Sequence, residues 1–150
     1  SPLPRTPMTT VAFRDGVLAA DSLATDDACA IQVQKIVRLP KGDVAGGAGS
    51  LPEVMNALQW LVKGGKGARP TIENSVILFT ANGVLHLAGG GWPGVPVKGY
   101  AAIGSGAQGA LVAMKLGCTA EQAVTAVAGV DHCTGGEIEV LAYVKPKRTK

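Results

Sequence analysis

The segment that begins at Met8 holds the residue best placed to do chemistry, because a threonine follows a removable methionine there. A threonine hydroxyl is a weak nucleophile at neutral pH and needs a base close to it. If Thr9 becomes the first residue of the chain, its own α-amino group, with a reference pKa of about 8, can act as that base. An ordinary strand could begin with the same residues. Whether Thr9 is a nucleophile therefore depends on whether the rest of the chain supplies partner residues for it.

Two charged residues in apolar strand-like stretches are the candidate partners. Asp21 interrupts the apolar run 17–24, and Lys35 falls on the apolar face of the alternating stretch 31–39. Burying an unpaired charge is costly, so an inward aspartate and an inward lysine are expected to pair. The alternative is that both lie at strand ends in water.

A glycine-rich stretch follows Asp43, Val44 and Ala45. We expect a strand-to-helix turn here, with Ser50 and Glu53 forming a capping box and a helix running to about Val62. Glycines in such a turn let backbone N–H groups face an oxyanion or a phosphate. No Lys-Ser or Lys-Thr pair follows the glycines, which excludes a Walker-type phosphate loop.

The remaining pattern predicts strands, one helix, more strands, two helices and a final strand. Asp15-Gly16 and Asn82-Gly83 are hairpin turn signals, and Thr119 with Gln122 predicts a second capping box. Two antiparallel sheets packed together, with helices outside them, would bury all the apolar faces.

Composition narrows the class of protein. The chain has 150 residues, of which 47% are hydrophobic and 17% charged, which suits one folded domain and excludes a disordered protein. No run of about 18 apolar residues is present, so no membrane span is expected. The three cysteines, Cys29, Cys118 and Cys133, are widely spaced and odd in number, which favours reduced thiols in an intracellular protein. We expect no metal and no cofactor.

The two ends of the chain differ from its middle. Residues 1–8, with three prolines before Met8, are interpreted as a leader, tag or propeptide. Residues 9–144 form the predicted domain. Residues 145–150 form a basic tail, which we interpret as a solvated terminus, so no nucleic-acid partner is expected although the net charge is +3.

Taken together, these pieces resemble the proteasome family of N-terminal nucleophile hydrolases, most closely HslV-type bacterial peptidases and their short phage relatives. The matching segments occur in the family's order over residues 9–144: Thr9-Thr10-Val11, Ala20-Asp21, Lys35, Ala45-Gly46, Ile103-Gly104-Ser105-Gly106 and Asp131-x-x-Thr134-Gly135. The resemblance implies an α+β fold of the four-layer αββα type and a threonine-type endopeptidase.

The resemblance also implies a role for each matching residue. Thr9 would supply the attacking Oγ, and Lys35, held charged by Asp21, would lower the pKa of that hydroxyl and of the amine. The Gly46 N–H would face the developing oxyanion. Three further matching residues would hold the amine and a water molecule in place: Ser105, Asp131 and Thr134. Val44 and Gly47 would lie near the first specificity pocket, which suggests a preference for apolar residues before the cut.

Family likeness further implies partners and a location. These are a homo-oligomeric ring or stacked rings, polypeptide substrates and an ATP-dependent unfoldase, in the bacterial cytosol or, for a phage-encoded chain, in an infected cell. The chain is shorter than HslV around residues 63–70 and in its later helices, which leaves ring size and the unfoldase open.

Two rival interpretations remain. One is a non-catalytic ring or virion component that keeps the fold and has lost the chemistry. The other is a cysteine hydrolase using Cys133 and His132, although adjacent residues on an extended chain face opposite ways. His86, in an apolar hairpin strand, is expected to be structural.

Overall fold

The computed structural model describes residues 9–25, 30–132 and 134–147, and in this part of the chain it has a mixed α/β fold with three α-helices. The helices are α1 (Leu51–Val62), α2 (Ala107–Lys115) and α3 (Ala120–Ala128). The strands are β1 (Thr10–Arg14), β2 (Val17–Ala20), β3 (Leu23–Thr25), β4 (Ala30–Gln32), β5 (Ile36–Arg38), β6 (Val44–Gly49), β7 (Ser75–Ala81), β8 (Val84–Gly89), β9 (Val95–Pro96), β10 (Ala101–Gly104) and β11 (Glu139–Ala142). A single 3₁₀ turn covers Pro40–Gly42.

The strands form antiparallel sheets. One has four strands in the order β10-β1-β2-β11, and another has five in the order β5-β6-β7-β8-β9. A third pairs β3 with β4. The predicted turns close two hairpins: Asp15 and Gly16 have φ of 53° and 78°, and Asn82 and Gly83 have φ of 53° and 81°. Two consecutive positive φ angles suit the right-handed twist of a hairpin, which is why Asp-Gly and Asn-Gly are selected there.

Three apolar clusters hold the elements together. Val11 and Leu18 of the four-stranded sheet pack against Ile36 and Leu78 of the five-stranded sheet. On the other face of the four-stranded sheet, Ala12 and Ala19 pack against α2 and α3. On the other face of the five-stranded sheet, side chains from β6 and β7 pack against α1. Each of the two larger sheets therefore buries both faces, which explains the nearly continuous apolar sequence of β1 and β2.

The long alternating strand expected over residues 31–39 is wrong. The chain leaves the small β3-β4 sheet after Gln32 and enters the five-stranded sheet at Ile36. The two segments face different surroundings, so Ile31 is 49% exposed while Ile36 is fully buried. Neighbouring residues of one strand face opposite sides of the sheet, yet Lys35 and Ile36 are both buried. Both can be buried because Lys35 lies between the two sheets, just before β5 begins.

The predicted helix starts are correct, but one cap is not. Thr119 and Gln122 form the expected reciprocal capping box, with bonds of 3.1 and 2.9 Å. At the start of α1 the Ser50 side chain makes no capping bond. Glu53 instead accepts hydrogen bonds from the Asn74 N–H and the Ser75 hydroxyl, both at 2.9 Å. A tertiary partner therefore replaces the local cap.

No α-helix among the described residues is long and apolar enough to cross a membrane.

Candidate functional site

Asp21 and Lys35 form a buried ion pair, as their position in apolar strands predicted. The Lys35 Nζ lies 2.9 Å from Asp21 Oδ1, and the two side chains are 3% and 0% exposed. Lys35 also donates to the carbonyl of Leu23. The break between β2 and β3 places the carboxylate here, and the switch between β4 and β5 places the ammonium.

The pair is joined directly to the start of β1. The same Oδ1 of Asp21 accepts the backbone N–H of Thr10 at 3.0 Å. Its second oxygen accepts the N–H of Gly135 at 3.1 Å. The carboxylate thus has three hydrogen-bond donors, which compensates the cost of burying its charge. Thr9, the residue next to this contact, is 3% exposed.

A second polar group reaches the same strand from the other side. The Thr10 hydroxyl lies 2.8 Å from the Thr134 hydroxyl, which donates to Asp131 Oδ2 at 2.8 Å. Ser105 donates to the same carboxylate oxygen at 2.8 Å. The expected group of Ser105, Asp131 and Thr134 is therefore one hydrogen-bonded cluster, and Thr10 connects it to Asp21 and Lys35.

Burial and the neighbouring negative charges act in opposite directions on the pKa of Lys35. Burial disfavours the ammonium and lowers the pKa of Lys35 below its ordinary value, while the charge and hydrogen bond of Asp21, and the more distant Glu139, act to raise it. Burial also raises the pKa of Glu139, as does the neighbouring Glu137, and Lys35 opposes that shift. The site is therefore a low-dielectric region in which one ammonium faces acidic groups.

The glycines of β6 differ from the expectation. They lie inside the strand rather than in a turn after it, and their amides alternate between its two edges. The Gly47 N–H donates to the Lys35 carbonyl at 3.2 Å, whereas the Val44 N–H donates to Thr80 Oγ1 at 3.0 Å on the β7 side. Because N–H groups two residues apart point to the same edge, the Gly46 N–H faces β7. The geometry therefore favours Gly47 over Gly46 as the amide beside Lys35.

The two residues expected near the first specificity pocket, Val44 and Gly47, both have apolar neighbours. Val44 is fully buried in the cluster between the two sheets, so it cannot line a pocket that a substrate enters. A side chain built on Gly47 would meet Ile77 and Val54, so the α-carbon of Gly47 faces α1. The expected preference for apolar residues before the cut stays a prediction.

Sequence reasoning misses two contact residues. The sequence marks Thr10 only as a neighbour of Thr9, yet Thr10 joins both polar groups. Gly104, at the end of β10, pairs with Thr10 and has φ of 99°, and a methyl group there would overlap the Thr9 carbonyl oxygen. The signal for Gly104 is its place in the Gly104-Ser105-Gly106 run, where glycine permits a backbone approach that other residues prevent.

Other residues singled out in the sequence lie elsewhere or outside the described residues. His86 stacks on Phe79 with ring centroids 5.3 Å apart, a structural contact of the expected kind. Cys118 is a free, half-buried thiol. Residues 1–8, Cys29, Cys133 and residues 148–150 lie outside the described part, so the leader and the Cys133 alternative stay predictions. Within the described part, no three His, Cys, Asp or Glu side chains are grouped so that they could hold a metal ion.

No protein-family model matches the chain, and no curated protein matches it in sequence. Solved structures do match. BPH of Thiobacillus denitrificans in complex with epoxomicin has a TM-score of 0.68 and 14% identity, covering 91% of this chain and 99% of that one. BPH of the same organism without a named ligand has a TM-score of 0.67 and 14% identity, covering 91% and 98%. Eukaryotic HslV from Trypanosoma brucei has a TM-score of 0.62 and 16% identity, covering 90% and 99%.

Neighbours of such low identity establish the fold rather than the activity. The predicted resemblance is confirmed at that level: over nine-tenths of its length, the chain has the fold of HslV-type, proteasome-like proteins.

Proposed function

We propose that the chain, once it begins at Thr9, is a threonine-type endopeptidase. One observation carries the proposal: a fully buried carboxylate, Asp21, binds the Lys35 ammonium and the Thr10 amide through the same oxygen. A buried ion pair contributes little net stability compared with apolar packing of the same volume. The ion pair is bound to the amide of Thr10, the residue that follows Thr9. Such a position suits a nucleophile at Thr9, because a nearby ammonium favours the deprotonated forms of a hydroxyl and an amine.

The proposed reaction is acyl transfer in two steps. The Thr9 Oγ attacks a peptide carbonyl, its proton passes to the Thr9 amine, and that proton then goes to the leaving amine as the C–N bond breaks. This leaves an ester on Thr9, which water hydrolyses to release the acid and restore the hydroxyl. Lys35 stabilises the negative charge developing nearby, and Ser105, Asp131 and Thr134 hold the amine and the attacking water.

The proposed oxyanion donor is the Gly47 amide rather than that of Gly46. Gly47 directs its N–H to the edge of β6 where Lys35 lies, just before β5 begins at Ile36. During the reaction this N–H would exchange the Lys35 carbonyl for the developing oxyanion. A preorganised amide of this kind contributes through its fixed direction, since no reorganisation is needed when charge develops.

The remaining parts of the proposal follow from the fold. We infer a four-layer αββα arrangement, because each sheet carries helices on its outer face, and a homo-oligomeric ring that encloses the sites. Polypeptides are the substrates, an ATP-dependent unfoldase is a candidate partner, and the cytosol is the proposed location. The rival with the same fold is a ring or virion component without chemistry.

Epoxomicin, which the Thiobacillus denitrificans neighbour binds, provides the experiment. The chain beginning at Thr9 is incubated with epoxomicin, denatured and analysed by mass spectrometry, beside Thr9→Ala and the chain that keeps residues 1–8. We expect one added epoxomicin on the N-terminal peptide of the first protein and none on the other two. Labelling that persists in Thr9→Ala would contradict the proposal. Assembled rings that never label would favour the structural component, and loss of hydrolysis on thiol alkylation would favour Cys133.

A further inference from the structure

A cavity opens beside Thr9 that none of the expected site residues except Ser105 lines. It has a volume of about 460 Å³ and lies where the ends of β6 and β8 and the start of β7 face the end of β10. Its lining residues include Gly49, Glu73, Gly90 and Ser105. The cavity therefore occupies the gap between the two sheets at the edge where the chain reaches Thr9.

Two of the cavity's walls also belong to the Thr9 site. Gly104 packs against the Thr9 carbonyl, and Ser105 donates to Asp131 at 2.8 Å. Because Gly104 lines the cavity and also contacts Thr9, the cavity is within reach of a side chain next to a scissile bond held at Thr9. The inference rests on the proposed function, because it concerns what the same site selects.

The walls of the cavity leave room for a long side chain. Gly49, Gly90 and Gly104 contribute no side chains, and Ala48 and Val76 provide apolar surface. A methylene chain gains free energy by covering such a surface, at about 25 cal/mol per Å² removed from water. A short or strongly polar side chain would leave this space filled with water.

One charge lies at the rim of the cavity. Among the described residues that line it, Glu73 is the one with an ionisable side chain, and none is a lysine or arginine that could neutralise it. The nearby Glu53 is occupied, since it accepts hydrogen bonds from the Asn74 N–H and the Ser75 hydroxyl and so fixes this wall. The arrangement combines an apolar passage with a carboxylate at its end, which complements an aliphatic stem carrying a cation.

We propose that this cavity selects a lysine or arginine side chain adjacent to the scissile bond, with Glu73 as the specificity-determining residue. The charge pair sits at the rim, so it is partly solvated. Exposed ion pairs contribute about 0.2–1 kcal/mol, and the preference for a basic over an uncharged side chain of equal length is therefore about 1.4- to 5-fold. Because solvent reaches the pair, the preference falls as salt concentration rises.

The experiment uses the chain beginning at Thr9 and matched peptides that carry lysine or norleucine on one side of the cleaved bond, tested for each side in turn. Norleucine keeps the aliphatic stem and removes the charge. The variants are Glu73→Gln, which removes the charge, and Glu73→Lys, which inverts it. Glu121→Gln, an exposed glutamate in the first turn of α3, is the control. The quantity compared is the lysine-to-norleucine ratio of kcat/KM.

We expect a ratio of about 1.4 to 5 in the unmodified chain and in Glu121→Gln, a ratio near one in Glu73→Gln, and a ratio below one in Glu73→Lys. Norleucine peptides should be cleaved at similar rates by all four proteins. Cleavage of both peptides with a ratio that Glu73→Gln leaves unchanged would overturn this inference and leave the proposed function standing. Failure of the unmodified chain to cleave either peptide would overturn both.

Discussion

Lys35 and Thr10 are bound to one atom: the Lys35 ammonium and the Thr10 amide donate to Asp21 Oδ1 at 2.9 and 3.0 Å. Thr10 belongs to β1 of the four-stranded sheet, and Lys35 directly precedes β5 of the five-stranded sheet, so the shared oxygen ties the first strand of one sheet to the entry of the other. Because Thr9 precedes Thr10, the position of the proposed nucleophile depends on this contact.

Replacing Lys35 with Met should abolish peptide hydrolysis and lower the free energy of unfolding by about 3–5 kcal/mol, because it leaves Asp21 buried without its counter-ion. Adding Asp21→Asn should restore part of the stability, since the amide oxygen can still accept the Thr10 N–H and no charge is left uncompensated, while the amide NH2 cannot accept the Gly135 N–H that the carboxylate accepts. It should not restore activity. Denaturant unfolding and a peptide-hydrolysis assay measure the two effects. A double variant as active as the unmodified chain would show that Lys35 has no part in the chemistry.

The lowered pKa of Lys35 predicts opposite trends of activity and stability at alkaline pH. Between its folded pKa and the ordinary value of 10.5, the unfolded chain holds a proton that the folded chain lacks. The Lys35 contribution to the free energy of unfolding therefore rises with pH in that window. The proposed role needs the ammonium, so hydrolysis should fall in the same window.

Parallel pH profiles of hydrolysis and of denaturant unfolding measure these trends, with Lys35→Met as the reference that removes the contribution of Lys35. Activity that stays constant up to pH 10.5, or that falls only as the protein unfolds, would be inconsistent with a charged Lys35 in the mechanism.

Gly104 and Gly117 offer a matched pair of substitutions. Both have positive φ, 99° and 108°, so alanine at either position should cost about 1–2 kcal/mol of backbone strain. A methyl group at Gly104 would also overlap the Thr9 carbonyl oxygen, whereas at Gly117 it meets no atom within 4 Å. We expect Gly104→Ala to lose hydrolysis by more than about tenfold, as even small misplacement of a catalytic group does, and Gly117→Ala to keep it. Equal activities of the two variants would show that the contact does not position Thr9.

Thr10 should act through its hydroxyl as a positioning residue. Thr10→Val keeps the shape but leaves the buried Thr134 hydroxyl without this partner, so we expect a loss of about 1–3 kcal/mol in stability and a reduced kcat with little change in KM. Thr10→Ser keeps the hydroxyl and should keep kcat. Steady-state kinetics and thermal unfolding of both variants separate the effects. If Thr10→Val lowers stability without lowering kcat, the hydroxyl has only a structural role.

The features that the sequence predicts correctly depend on local backbone or on single conspicuous residues. Asp15-Gly16 and Asn82-Gly83 define their hairpins because few residues tolerate consecutive positive φ angles. Asp21 and Lys35 are recognisable because each places a charge in an otherwise apolar or alternating stretch of the sequence. Neither inference needs knowledge of the neighbouring strands.

The features that the sequence does not predict depend on tertiary partners. The amides of Gly46 and Gly47 point to opposite edges, and a strand pattern alone does not say which edge meets Lys35. Glu53 does not form the expected capping box, because it accepts hydrogen bonds from the Asn74 N–H and the Ser75 hydroxyl instead. The split between β4 and β5 arises from a change of sheet, which residues 31–39 do not reveal.

Hydrolysis by the chain that begins at Thr9 tests the central claim most directly, with Thr9→Ala, Thr9→Ser and the chain that keeps residues 1–8 assayed beside it. The account predicts cleavage by the Thr9 chain, weaker but measurable cleavage by Thr9→Ser, and none by Thr9→Ala or the longer chain, because each lacks the hydroxyl or the free amine. Cleavage by Thr9→Ala at the rate of the unmodified chain would contradict the account.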